Sequence, residues 1–174
     1  DRVTARCLVR YPERKEELPI IALADAEWTP QVVIWVDPAG KQALFDDDGK
    51  PKPAVEKLLS AGVGVIGADL FGQGEFTADG KPMAKTRLAK SGRGTWAGYA
   101  GYTFGYNHPV FSKRVHDILS LVALAKTVGR AKKVHLVGFG GAGHWVAAAR
   151  AQAGDAVDRA VIDTAGFHFA DVTA

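Results

Sequence analysis

The chain has 174 residues, 47% of them hydrophobic and 24% charged, a composition that supplies one buried core and excludes a disordered or fibrous chain. Its 22 Lys and Arg against 19 Asp and Glu leave a net charge of +3, and the cations are scattered, so neither nucleic acid nor a membrane is indicated as a partner. The single Cys7 excludes an internal disulfide and no apolar run approaches the ~20 residues of a membrane span; opening at Asp1 without a Met or a signal-like segment, the sequence reads as a processed or excised piece.

In chain order, residues 3–10 alternate like a strand in which Cys7 is expected to be a buried, inert thiol. A charged turn over 12–17 and a second apolar strand at 18–24 complete an opening hairpin. Val32-Val33-Ile34-Trp35-Val36 is a continuous apolar run of the kind buried on both faces of a central parallel strand, and its end at Asp37-Pro38-Ala39-Gly40-Lys41 should lie at the ligand crevice. From Pro53 the spacing of Val55, Leu58 and Leu59 predicts a short amphipathic helix stopped at Gly62, followed by a strand over 63–68.

From Asp69 to Pro109 no stretch has a regular period, and an irregular excursion of that length is expected to pass over the crevice. Asp69 and Glu75 flank its Gly-rich start and read as ordering that loop. Its second half interleaves glycines with Trp96, Tyr99 and Tyr102, either a stacking wall for a sugar or aromatic ligand or rings packed on the core. After Pro109 comes the clearest helix, with Val115, Ile118, Leu119, Val122 and Ala125 on one face and Gly129 past its end; Arg114 and Asp117, three apart, are expected to pair on its surface. A strand from Lys133, an Ala-rich helix and a last apolar run at 159–163 follow. The order predicts one α/β domain over 1–174, with a doubly wound, mostly parallel sheet and an antiparallel pair at its start.

The turn after the penultimate strand organises the rest, and two readings fit it. Gly138-x-Gly140-x-x-Gly143, with Asp163 twenty positions on, matches a dinucleotide fingerprint for NAD or NADP. Gly138-Phe139-Gly140-Gly141-Ala142 instead matches the frame of a G-x-S-x-G nucleophile elbow with Gly140 where the serine belongs. Strand order favours the elbow, because only one strand follows the turn, whereas a dinucleotide fold needs further βα units after its glycines. Gly141, with Ala39 or Gly40, would then form the oxyanion hole, Pro38 having no N–H.

Trp35-Val36-Asp37-Pro38-Ala39-Gly40-Lys41, Asp69-Leu70-Phe71-Gly72-Gln73-Gly74, Gly105-Tyr106-Asn107 and Arg114-Val115-His116-Asp117, together with that elbow frame, resemble the α/β-hydrolase superfamily, in particular acetyl xylan esterase-like proteins whose large chains carry tandem hydrolase domains. The resemblance implies an esterase scaffold acting on acyl groups of decorated polysaccharide, in a secreted or periplasmic setting, without a cofactor. It also implies a crevice lined by Asp37, Phe139, His144 and the aromatic loop. Active members need a nucleophile, an acid and a histidine, and this sequence holds no intact Ser-His-Asp triad: the nucleophile position is Gly140, and the core lacks the last strands that carry the usual acid and histidine. Losing a triad serine typically costs about six orders of magnitude in turnover. Asp163 could stand as an acid or cap its own turn. His168 follows it too closely for the usual arrangement, and His144, in the first turn of the helix, is expected to be a neutral packing ring. His108, His116 and His135 share no metal-ligand spacing, so no metal is expected, and Asp46-Asp47-Asp48-Gly49 reads as a solvated turn. Three roles follow as expectations: a non-catalytic domain supporting a larger esterase-like protein and its carbohydrate or ester ligand, an esterase completed by another domain or chain, or a dinucleotide-binding module. The strand at 159–163 would be an exposed edge liable to self-associate.

Overall fold

The computed structural model describes residues 2–83, 108–168 and 170. It contains β1 (Arg2–Tyr11), β2 (Glu16–Asp25), β3 (Gln31–Val36), α1 (Pro53–Ser60), β4 (Gly64–Ala68), α2 (Val110–Thr127), β5 (Lys133–Gly138), α3 (Gly143–Ala153) and β6 (Arg159–Ile162). These build a six-stranded sheet in the order β1-β2-β4-β3-β5-β6. β2 runs antiparallel to both β1 and β4, and β4, β3, β5 and β6 are parallel to one another. The predicted α/β sheet with its opening hairpin is therefore the observed one.

The unbroken apolar run of β3 reflects burial on both sides. Val32, Ile34 and Val36 face the main core, where they meet Val115, Ile118 and Leu121 of α2 and Val146 and Ala149 of α3. On the opposite face Ile21, Leu23 and Val65 pack under Val55 and Leu59 of α1. Pro53 begins α1 as expected, since its missing N–H is one the first turn would leave unpaired. Gly62, at φ +73, carries the chain out of that helix in the left-handed conformation that glycine adopts without steric cost.

The first strand departs from expectation. Cys7 is exposed, not buried. β1 is an edge strand with only β2 beside it among the described residues, and apart from Ala5, Val9 and Tyr11 its residues are exposed; alternation identified the strand, yet it offers Cys7 no dry face.

The central parallel strands should therefore carry far more of the stability than the first one. Leu136→Ala, at a fully buried position of β5, is expected to cost roughly 2–5 kcal/mol, and Cys7→Ala less than about 0.5 kcal/mol, both read from denaturant unfolding.

Candidate functional site

Successive crossovers carry the chain from β3 out to β4, then back past β3 to β5 and onward to β6. The winding direction therefore reverses between β3 and β5, and the crevice beyond the carboxyl ends of those two strands is where an open α/β sheet places a ligand. The loops flanking that crevice are Asp37–Lys41 and the glycine turn, the two stretches that the sequence singled out. Phe139 N–H reaches Val36 O at 3.4 Å, and the Phe139 ring lies 5.0 Å from that of Trp35.

Steric constraints explain the glycine turn residue by residue. Gly140 stands at φ +51, and a Cβ there would meet nothing among the described residues within 4 Å, so of these constraints the positive φ is the one that restricts the position. Gly138 and Gly143 are glycines for another reason: a Cβ on Gly138 would lie 2.6 Å from Val146 Cγ2, and one on Gly143 would collide with the Asp163 carbonyl. Both close approaches seat α3 on the strand ends. A 3-10 turn over Gly140–Ala142 leads into α3. Among the described residues Gly141 N–H has no acceptor outside its own 3-10 turn, as expected of the opening amides of a helix.

The opposing loop is already internally bonded. Ala39 N–H donates to Asp37 Oδ1 at 2.9 Å and Gly40 N–H to Asp37 O at 3.0 Å. An oxyanion would have to compete with the Asp37 carboxylate for the Ala39 donor. Two buried polar side chains hold this loop from beneath. Gln73, fully buried, donates through Nε2 to Asp37 O and Pro38 O and accepts Leu70 N–H. Asp69, 1% exposed, accepts the Lys41 and Glu75 backbone N–H groups and pairs with the Lys41 ammonium, which also reaches Glu75. Gly40 at φ +76 and Gly74 at φ +46 lie so close to the Asp69 carboxylate that a side chain at either would displace it.

Of the residues considered for an acid or base, Asp163 and His144 each make local structural contacts. Asp163 is exposed; its Oδ1 accepts Ala165 N–H at 2.9 Å and its backbone N–H donates to Gly138 O. The carboxylate caps the turn that follows β6. His144 is stacked 5.7 Å from Phe111 and lies 4.5 Å from Phe167; its Nδ1 is buried without a partner among the described residues. Burial, and secondarily the nearby Arg114, holds its pKa below the usual histidine value, so the ring is neutral at pH 7. His168 is exposed on the segment after Asp163. Trp96, Tyr99 and Tyr102 lie outside the described residues. Asp46 turns its own loop by accepting the Asp48 and Lys50 N–H groups, as a solvated turn does.

Arg114 and Asp117 do not form the surface pair their spacing suggested. Arg114 is buried, donates from Nε to Phe71 O at 3.0 Å and lies 4.3 Å over the Trp145 ring; Asp117 accepts Phe71 N–H at 2.8 Å. They grip one peptide residue from both sides and so anchor the 69–76 loop to α2. Helical periodicity held the missed signal: Arg114 lies four before Ile118 and seven before Leu121, on the buried stripe. Gln73 had a weaker one, a polar residue between two glycines after a wholly apolar strand.

No protein-family model matches the sequence, and no curated protein does. The strand order, the crossover reversal and the tight glycine turn between β5 and α3 together define the α/β-hydrolase fold, and solved structures of that fold match at low identity. A carboxyl esterase from Bacillus coagulans is 10% identical with a TM-score of 0.60, covering 90% of this chain and 43% of its own. A dienelactone hydrolase from Anabaena variabilis is 13% identical at 0.58, covering 91% and 62%. Est1E from Butyrivibrio proteoclasticus, solved with ferulic acid, is 17% identical at 0.52, covering 83% and 47%. The chain thus spans less than two thirds of each of these proteins.

Two predictions follow from this geometry. Burial, outweighing the Phe71 N–H bond, pushes the Asp117 carboxyl from 3.8 up to about 6. The folded state then holds this proton more tightly than the unfolded one, so the group favours folding below pH ~4 and opposes it as the pH rises through 6. Asp117→Asn, which keeps an oxygen for Phe71 N–H, should stabilise the protein at pH 7 by up to about 3 kcal/mol, the gain vanishing near pH 4 in paired denaturant titrations. Gly143→Ala should destabilise severely, whereas Gly141→Ala, whose Cβ would rest 3.5 Å from Pro38 Cγ, should fold with a thermal midpoint near that of the native chain.

Proposed function

We propose that this chain is a non-catalytic α/β-hydrolase-type domain of the acetyl xylan esterase-like kind, which supports ligand binding by a larger esterase-like protein. The observation that carries the reading is Gly140, a residue at positive φ that has no side chain where an elbow would carry its nucleophile, with no other described residue close enough to offer one. The supporting facts point the same way: Asp163 caps a turn, His144 is packed among aromatic rings, and the nearest available donor, Gly141 N–H, has nothing to work with. Carbohydrate or an acylated carbohydrate is the ligand class proposed on the resemblance, and a secreted or periplasmic setting goes with it.

Among the described residues nothing crowds Gly140 or accepts from Gly141 N–H outside its own turn, which favours a second reading, in which another domain or chain brings the missing groups to the turn. Hydrolysis of a small activated acetyl ester separates the two. The native chain is expected to remain at the uncatalysed background, and so is Gly140→Ser, since a serine without a base stays protonated and unreactive. Turnover by the native chain that disappears in Gly141→Pro, which lacks the N–H, would overturn the non-catalytic reading. A titration with NAD or NADP tests the dinucleotide alternative; no saturable binding is expected, because Asp163 Oδ1 already accepts Ala165 N–H.

A further inference from the structure

Two carboxylates grip the 69–76 loop, and only one of them is given a countercharge. Asp69 accepts the Lys41 and Glu75 amides and pairs with the Lys41 ammonium. Asp117, on α2, accepts Phe71 N–H at 2.8 Å and forms no ion pair among the described residues. Arg114, on the same helix, uses its Nε on Phe71 O and lies over the Trp145 ring.

The other charges around Asp117 come from two elements. On its own helix His116 and Arg114 favour the carboxylate, and Lys113 lines the same cleft. From the hairpin Glu16 opposes it, and that glutamate is bonded to His116 at 3.0 Å. Arg14, Lys15 and Glu17 line the cleft as well, as does His108 ahead of α2. Burial outweighs these neighbours and pushes the carboxyl from 3.8 up to about 6. A part-buried carboxylate with no ion pair lowers its free energy either by taking a proton or by reaching water.

Phe71 is the partner that can yield. It is part-buried, and its amide and carbonyl are bonded to side chains of α2 rather than to a strand. Both bonds can be released without breaking the sheet, as in a local opening. We propose that the contact between Asp117 and Phe71 is a proton-operated clasp, which closes the 69–76 loop on α2 when the carboxyl is protonated and lets the loop open when it is ionised. Gln73 of that loop bonds the carbonyls of Asp37 and Pro38, so the clasp bears on the crevice wall without touching it. Every contact in it lies within the described residues, and it does not depend on whether the crevice is catalytic.

Native-state hydrogen exchange of the full chain, followed by NMR from pH 4 to pH 8 and corrected for the intrinsic amide rate, tests it. The opening equilibrium of the Phe71 amide should rise on the order of fiftyfold over that range, as expected when a carboxyl held at about 6 returns to 3.8 on opening. In Asp117→Asn the rise should vanish. At each pH Phe71 should exchange faster than Leu136 in the buried centre of β5, which marks the opening as local. The Asp117 carboxyl carbon of the native chain should titrate in step with the Phe71 amide, a readout that needs no variant. A rise that persists in Asp117→Asn overturns the proposal. So does Phe71 exchange no faster than that of Leu136, or an Asp117 carboxyl that titrates near 3.8.

Discussion

Two loops leave the carboxyl edge of the sheet side by side, after β3 and after β4, and a buried carboxylate and a buried amide hold them as one piece. Asp69 and Gln73 together accept three backbone N–H groups and supply two hydrogen bonds to the carbonyls of Asp37 and Pro38. A buried carboxylate is costly unless charge and hydrogen bonds compensate it, and here Lys41 supplies the charge. Glycine at 40 and 74 is what lets the backbone close around that carboxylate. The crevice wall formed by Asp37–Lys41 thus depends on chemistry one strand away from it.

The same unit is then fastened to the helical layer. Arg114 and Asp117 hold Phe71 by its carbonyl and its amide, so β3, β4 and α2 meet through a continuous chain of polar contacts beneath the crevice. Its rigidity bears on the functional reading. The loops beside the crevice are fixed by interactions that involve no nucleophile, so their shape does not depend on whether chemistry occurs there.

Much of this was legible in the sequence because it is written in period and punctuation. The apolar run of β3, the Pro53 start and Gly62 stop of α1, and the glycines of the turn after β5 each follow from a local steric rule, and the strand order follows from their succession. What stayed hidden was long-range pairing between polar side chains and distant backbone. Nothing local says that Gln73 reaches Asp37, or that Arg114 and Asp117 serve Phe71 some forty residues away. Cys7 was misplaced for the complementary reason: alternation reports two faces of a strand, and burial depends on what lies over them. Whether Asp163 was an acid or a cap was an equally open question until its carboxylate was seen on the Ala165 amide.

Gly140 has a consequence for the history such a domain can have. An L-residue at the apex of this turn would have to hold a left-handed backbone at a cost of roughly 1–2 kcal/mol, a tension that a working elbow tolerates for the sake of exposing its hydroxyl. Glycine at φ +51 relaxes it. On the reading proposed above, exchange of a nucleophile for glycine at this apex would be a downhill step for the fold, and later adjustments of the surrounding loops would accumulate on a more stable base. Placing a side chain here would mean climbing against that gradient before any catalytic benefit existed, so such an exchange would act as a ratchet: easy to fix, and hard to reverse one residue at a time.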